Sequence, residues 1–258
     1  MNRRSLIGAG LGASVLGLAV FQNRRVHSID QAAIRKAIDQ IEALPTVGLI
    51  ASMGMRAFLQ FWSDQIVLRL ERARFPADRI QQQILQRKSI LLPPATRSEL
   101  DELQGRLETE LPPSVLEFLS VTNGVSAIID YADAPLDFFP CSQIGWLHEQ
   151  APGLVRIWTE EPDWPGDSLY FRYGEDQDVI YIRTDYLKRM ITLGPVVDGG
   201  VFLLNPQVRL ADGELEAWDF SVKHPGAIRY RSLPPLLEKY CTDSCWNLDY
   251  WSATHEFT

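Results

Sequence analysis

The residue types best suited to bind a partner are concentrated in residues 160–167, which read EEPDWPGD. This segment places four carboxylates beside one tryptophan: Glu160, Glu161, Asp163, Asp167 and Trp164. Its two prolines restrict the backbone, so that little conformational entropy is lost when such a segment docks. Aromatic anchors ringed by charged groups are typical of protein interfaces. The pattern predicts an exposed loop, and its functional interpretation is an acidic recognition surface anchored by an aromatic ring.

A second group of carboxylates lies in residues 130–137: Asp130, Asp133 and Asp137. Three carboxylates this close together could hold a cation, or could compete with residues 160–167 for a partner. Their spacing differs from that of an EF-hand loop, and the segment has no glycine for the turn. A solvated loop is the simpler interpretation.

The usual catalytic motifs are absent from the sequence, which has no phosphate-binding loop, nucleophile elbow, zinc-protease helix or dinucleotide-binding glycine motif. The four histidines are scattered: His27, His148, His224 and His255. Cys241 and Cys245 would share a helix face, which suits small buried residues and is poor geometry for a disulfide, while a metal site there would need His ligands. With Cys141 they are too few for a disulfide framework. We therefore predict a protein that is not an enzyme and uses no cofactor or metal.

The charge is distributed unevenly along the chain. Residues 1–25 hold four Arg and no acid, which leaves 21 basic against 33 acidic residues in the remainder, a net charge of −12. Most of this negative charge lies after residue 95. Nucleic acid is an unsuitable ligand for such a region, because phosphate binding needs clustered Lys and Arg. A basic protein is the better-matched partner.

The stretch around which the chain is organised is residues 111–124, LPPSVLEFLSVTNG. The paired prolines exclude a helical conformation at Pro112 and favour a helix start at Pro113. Apolar residues then recur at helical spacing: Val115, Leu116, Phe118 and Leu119. Asn123 and Gly124 are the residue types that best tolerate a left-handed C-cap. We expect a short helix with Phe118 buried at its centre.

Together with the sequences before and after it, this stretch resembles the opening signature of the SUKH superfamily, named for yeast cell-wall-synthesis regulators and bacterial immunity proteins. A helix over TRSELDELQGRLETE precedes it, and the FFPCSQI step at residues 138–144 and IGWL at residues 144–147 follow. The resemblance covers residues 96–240. It implies an α+β fold in which helices flank an antiparallel sheet, and a function in protein binding.

Residues 96–258 are predicted to form this domain. Thr96 and Glu99 form a capping box that begins a helix. Period-two, β-branched and aromatic runs predict strands at residues 169–173, 179–183, 190–193, 201–205 and 215–220, and glycine-rich turns separate several of them. Ser232 is expected to cap a last helix.

Residues 1–25 are predicted to be a signal-like or membrane-anchor segment. Arg3 and Arg4 resemble the start of a twin-arginine export signal, but a clear cleavage site is lacking before Arg24. The uncharged run of residues 5–23 is just long enough to span a bilayer as an uncleaved anchor. Basic residues on both sides leave its orientation open.

Residues 26–95 are predicted to be helical, with an amphipathic helix over residues 28–44, a strongly apolar stretch over residues 46–75 and a helix that begins at Pro76. The apolar stretch could contact a membrane a second time. Arg56 and the glycines Gly48 and Gly54 favour a core helix instead. We place a domain boundary near Pro94.

Two functions fit these features. In the first, the acidic domain binds and neutralises a basic toxin, as bacterial members of the resembled family do. In the second, the chain is a membrane-tethered regulator or scaffold of cell-envelope synthesis, the role that the yeast branch of the family suggests. An exported hydrolase that uses Asp130, Asp133 and Asp137 is a third and weaker alternative.

Overall fold

The structure is a computed structural model that describes residues 31–128 and 134–255. The predicted anchor segment, residues 1–25, lies outside the described residues, as do Asp130 and Asp133.

Along the described residues, helices come first, followed by three short strands, a run of short helices, four further strands and a last long helix. The helices are α1 (Gln31–Ile38), α2 (Leu49–Met53), α3 (Met55–Arg72), α4 (Arg79–Arg87), α5 (Arg97–Leu107), α6 (Pro113–Val121), α7 (Leu147–Gln150), α8 (Pro152–Thr159), α9 (Asp167–Tyr170) and α10 (Leu233–Thr254). The strands are β1 (Val125–Ser126), β2 (Leu136–Phe138), β3 (Gly145–Trp146), β4 (Ile191–Thr192), β5 (Gly200–Arg209), β6 (Leu215–Ser221) and β7 (Gly226–Tyr230). Two 3-10 helices occupy Gly174–Asp176 and Thr184–Arg189.

The main sheet has five antiparallel strands in the order β3-β4-β5-β6-β7, and β1 pairs with β2 separately. Successive side chains of a strand point to opposite faces. On the first face, Leu204 and Ala217 join the large core formed with α3, α6 and α10. On the second face, Leu203 and Trp218 join a smaller core with α7, α8, α9 and the 3-10 helix Thr184–Arg189. Helices therefore cover both faces, and the predicted mixed helix and sheet architecture is confirmed.

The organising helix forms at the predicted place. It begins at Pro113, and Phe118 is only 3% exposed. Its first turn is capped by a residue far away in the sequence. The Glu214 carboxylate accepts hydrogen bonds from the Ser114 backbone N–H at 2.9 Å and from the Ser114 hydroxyl. The predicted left-handed C-cap is wrong in position. The helix ends at Val121, after which Thr122 is already extended.

Asn123 and Gly124 act beyond the helix end. The Asn123 amide donates to Glu99 at 3.0 Å, and its oxygen accepts from the Cys141 N–H at 2.7 Å. Gly124 has φ of 108°, and a Cβ there would lie 2.8 Å from the Phe138 carbonyl oxygen. A side chain at Gly124 would therefore push the chain off β2, which explains why this turn needs glycine.

Two predicted strands are wrong, and four observed strands were not predicted: β1, β2, β3 and β7. Residues 169–173 end a short helix, α9, and residues 179–183 form turns. Their apolar composition reflects burial of Tyr170 and Ile182 against the second face of the sheet. The longest of the strands that were not predicted is β7, where Ala227 donates its N–H to the Val179 carbonyl at 3.0 Å. The chain around Val179 thus crosses the start of β7 without pairing as a strand.

The N-terminal helices pack into the same core as the sheet. The core-helix prediction for the apolar stretch is confirmed, since Phe58, Leu59 and Trp62 of α3 are fully buried. Trp62 also donates to the Ser244 hydroxyl of α10 at 3.1 Å. Core residues on both sides of the proposed boundary near Pro94 belong to one hydrophobic cluster.

Three helix ends differ from prediction. The amphipathic helix expected over residues 28–44 is described only as α1 (Gln31–Ile38). The helix expected to open at Pro76 begins at Arg79 instead, because Asp78 and Gln81 form a reciprocal capping box. The last helix does start after Ser232, but it continues through the C-terminal tail to Thr254.

Candidate functional site

Residues 160–167, here called the acidic loop, run from the end of α8 to the first residue of α9, and all of them except Pro165 are exposed, as the sequence predicts. Glu160, Glu161 and Asp163 are all on the surface. Trp164 is 56% exposed, which is unusual for so large an apolar side chain. The loop therefore presents both the acids and the ring to solvent.

Arg183 holds the acidic loop from below. Its guanidinium lies 4.6 Å from the centre of the Trp164 ring and 4.5 Å from that of Tyr170. Phe171 and Tyr186 complete the surround at 5.4 and 5.8 Å. A cation stacked on several aromatic faces is stabilised by their quadrupoles, more strongly when it is removed from water. The Arg183 side chain is only 7% exposed, so the stacking takes place in a largely dry setting.

Hydrogen bonds fix the orientation of the Arg183 guanidinium. It donates to the Asp167 carboxylate, to the Tyr186 hydroxyl at 3.0 Å and to the Pro165 carbonyl at 3.4 Å. Burial alone would lower the pKa of Arg183, but the bonds to Tyr186 and Asp167 outweigh it and raise the pKa. The positive charge of Arg183 is therefore permanent. Asp167 is paired with it within the chain.

The backbone of the acidic loop is also tied down. The Asp163 N–H donates to the Thr184 hydroxyl at 2.9 Å, and the Thr184 N–H donates back to the Asp163 carbonyl at 3.2 Å. The Trp164 ring meets the Tyr186 ring edge-on, with centroids 5.3 Å apart. These contacts hold Trp164 in one orientation although more than half of it faces solvent.

Beneath the loop lies a buried polar cluster, the Glu216 network, which sequence reasoning did not find. The Glu216 carboxylate accepts four hydrogen bonds, from Tyr170 at 2.5 Å, Tyr173 at 2.9 Å, Asn205 at 2.9 Å and Trp218 at 2.7 Å. Burial raises the pKa of Tyr170 and Tyr173, and the negative charge of Glu216 raises both further. Both phenols therefore stay protonated and remain donors.

Arg229 balances the charge of the Glu216 network. Its guanidinium lies 4.0 Å from the Glu216 carboxylate, and both side chains are fully buried. It also donates to the carbonyls of Tyr170 and, at 3.3 Å, Arg172. Removal of either partner of such a buried pair would leave an uncompensated charge, which is strongly destabilising. This one fastens α9 and the chain after it to the second face of the sheet.

Asp137 does not join the acidic loop. It lies in β2, where its carboxylate accepts from the Ile128 N–H at 3.0 Å and is also hydrogen-bonded to Tyr240. Burial raises its pKa to about 7. Its neighbour Phe138 packs in the core of the first face, whereas Trp164 packs over the second. The structure thus places Asp137 apart from the acidic loop.

The cysteines lie in apolar surroundings. Cys241 and Cys245 are one turn apart on α10 and buried, as predicted, and Cys141 is buried elsewhere. Burial raises the pKa of the Cys141 thiol to about 11, which makes it a poor nucleophile. Within residues 31–128 and 134–255, no cluster of three or more His, Cys, Asp or Glu side chains could hold a metal ion.

Comparison of the chain with known protein families, with curated proteins and with solved structures found no match. The likeness to the SUKH signature therefore depends on the motif residues alone.

The sequence did carry a weak signal for the residues that were missed. Glu216 lies in a largely apolar strand that also contains Asp219, and Arg183 follows an apolar run. A charge inside such a run indicates a buried pair, because an unpaired buried charge is strongly destabilising. The partners, however, come from segments far apart in the chain.

Proposed function

We propose that this chain is a non-enzymatic protein-binding domain and that the acidic loop is its working surface. Its partner is a basic protein. In the form that the SUKH-like motif favours, the chain is an immunity-type protein that neutralises a toxin by covering it. Residues 1–25 tether it to a membrane.

The observation that carries this proposal is Trp164, a large ring kept at the surface in a fixed orientation. Its contacts with Arg183 and Tyr186 restrict its motion before any partner arrives. A side chain that is already ordered loses little entropy on binding. Tryptophan is also among the residues that contribute most to binding energy at interfaces.

The charges around Trp164 support a basic partner. Within the described residues, Asp167 is paired with Arg183, whereas no Lys or Arg pairs with Glu160, Glu161 or Asp163. Unpaired surface carboxylates speed the encounter with a positively charged protein and exclude acidic ones. In this proposal Trp164 is the aromatic anchor, and the unpaired carboxylates around it attract the partner.

Binding kinetics with a purified partner, first captured by the full-length chain, test the proposal. Trp164→Ala should raise the dissociation rate by about tenfold or more, as expected for loss of an interface anchor. Replacing Glu160 and Glu161 by Lys should slow association and weaken its salt dependence.

Matched controls come from other exposed positions. Glu117→Lys changes the same charge on α6, which packs on the opposite face of the sheet, and Val222→Ala trims a half-exposed apolar residue. Both should leave the rates unchanged. Unchanged rates for the Trp164, Glu160 and Glu161 variants would instead remove the acidic loop from the proposal.

The second candidate, a tethered scaffold of cell-envelope synthesis, is favoured by the uncharged run in residues 5–23 with its flanking arginines. The identity of the partner that the full-length chain captures distinguishes the two functions. A basic toxin supports the first function, and an envelope-synthesis enzyme or an integral membrane protein supports the second.

A further inference from the structure

Val47 is the most exposed large hydrophobic residue that the structure describes, at 96%. It lies at a corner formed by residues 47–53, where the chain enters α2. Met53, at the other end of this corner, is 40% exposed. Leu49 and Ile50 between them turn inward and pack against the core. The corner therefore shows two apolar side chains to the outside.

This corner is held firmly in place. The Glu238 carboxylate of α10 accepts from the Gly48 N–H at 2.9 Å and from the Ile50 N–H at 2.8 Å. The Thr46 hydroxyl donates to the Glu238 carbonyl at 2.6 Å. Glu238 and Thr46 are both buried. Bonds on both sides of Val47 thus fix the backbone that carries this exposed apolar side chain.

The surroundings of the corner match a membrane surface. Between Glu42 and Asp64 the sequence has a single charged residue, Arg56, and it is exposed in the first turn of α3. A stretch of chain that lacks acids and carries one cation suits anionic headgroups. The uncharged run of residues 5–23 precedes the corner by little more than 20 residues in the chain. None of the described helices combines the length and apolar character that a bilayer crossing requires.

We propose that Val47 and Met53 dip into the lipid interface and fix the orientation of the domain on the membrane. Two apolar side chains are too few to recruit a protein from solution. They suffice for a chain that is already tethered, because the tether supplies a high effective concentration. The inference rests on the proposed membrane tether.

The test uses the full chain in vesicles of phosphatidylcholine and phosphatidylglycerol. The three native cysteines are buried, so a thiol-reactive fluorophore should label a newly introduced surface cysteine selectively. Three variants are compared: Val47→Cys, Met53→Cys and, as a control, Val222→Cys. Val222 is a half-exposed valine elsewhere in the chain. In vesicles with nitroxide-labelled lipid, quenching should be about twofold or more stronger at the first two sites than at the control.

Every other outcome overturns the inference. Vesicle-bound protein with equal quenching at all three sites would leave the tether intact and refute the corner contact. A blue-shifted emission at Val47→Cys that lipid nitroxides do not quench would show that protein, not lipid, covers the corner. Protein that stays in solution would refute the tether as well.

Discussion

The two faces of the sheet are covered in different ways. On the first face, rings and aliphatic chains supply most of the packing, as where Phe138 stacks on Phe202 with centroids 5.1 Å apart, and polar links are single bonds such as that from Trp62 to Ser244. On the second face, two buried cations, Arg183 and Arg229, lie over aromatic rings, and Glu216 collects four hydrogen bonds. The first face is covered largely by the long, regular helices α3 and α10, and the second by short helices and turns.

This difference has a physical cause. A long amphipathic helix buries enough apolar surface to hold itself in place. Residues 163–190 form only short helical pieces, which bury less surface per residue ordered and so depend on directional bonds. The first face should therefore respond to changes in volume and the second to changes in hydrogen bonding and charge.

The largest effect is expected from Glu216→Leu on the second face. It would leave four donors without an acceptor and Arg229 without its counter-charge, and should lower the free energy of unfolding by about 5 kcal/mol. Urea unfolding measures it, with the exposed Glu175→Leu as the control that should change little. A loss as small as that of the control would mean that the network contributes nothing to stability.

On the first face, Phe118→Ala should lower the free energy of unfolding by about 4 kcal/mol, because it opens a cavity in a close-packed core. Phe171→Ala removes a ring of the same size that is 44% exposed on the second face. In the same urea titration, the free energy of unfolding of that variant should fall by less than about 1.5 kcal/mol. Equal losses would show that the two faces do not differ in packing.

Arg183→Met removes the stacked and hydrogen-bonded cation and should lower the free energy of unfolding by about 2 kcal/mol. Its effect should be local. Hydrogen exchange should accelerate in residues 160–171 and stay unchanged in α3 and α10. Arg172→Met, which removes an exposed arginine from the same segment, is the control. Faster exchange throughout the molecule would contradict a local role.

The remaining expected effect is a pH dependence at Asp137. Because its pKa in the folded protein is raised to about 7, the folded state holds this proton more tightly than the unfolded chain does. The stability gained from this tighter proton binding is present in full below about pH 4 and is lost as the pH rises through the folded-state pKa. Asp137→Asn should therefore gain about 1.4 kcal/mol relative to wild type for each pH unit between about pH 4 and about pH 7.

Unfolding free energies of both proteins, measured at several pH values, test this prediction. A difference between Asp137→Asn and wild type that stays constant with pH would show that the carboxyl titrates normally in the folded state.

The sequence by itself determined the features whose causes are local. The Thr96 and Glu99 capping box, the helix start at Pro113 and the turn at Gly213 all form where predicted, because their bonds and backbone preferences involve neighbours in the chain. The same holds for β5 and β6, whose connection is short. The exposure of the acidic loop also followed from its own composition.

The tertiary structure decided the features that need distant partners. Residues 169–173 look like a strand, yet Tyr170 ends a helix because Glu216, 46 residues later, and Arg229, 59 residues later, bind it there. The cap of α6 comes from Glu214, 100 residues away, and Trp164 is ordered by Arg183. Local propensities differ by less than about 1 kcal/mol per residue. A buried charge left unpaired is several times more destabilising, so long-range pairing prevailed wherever the two conflicted.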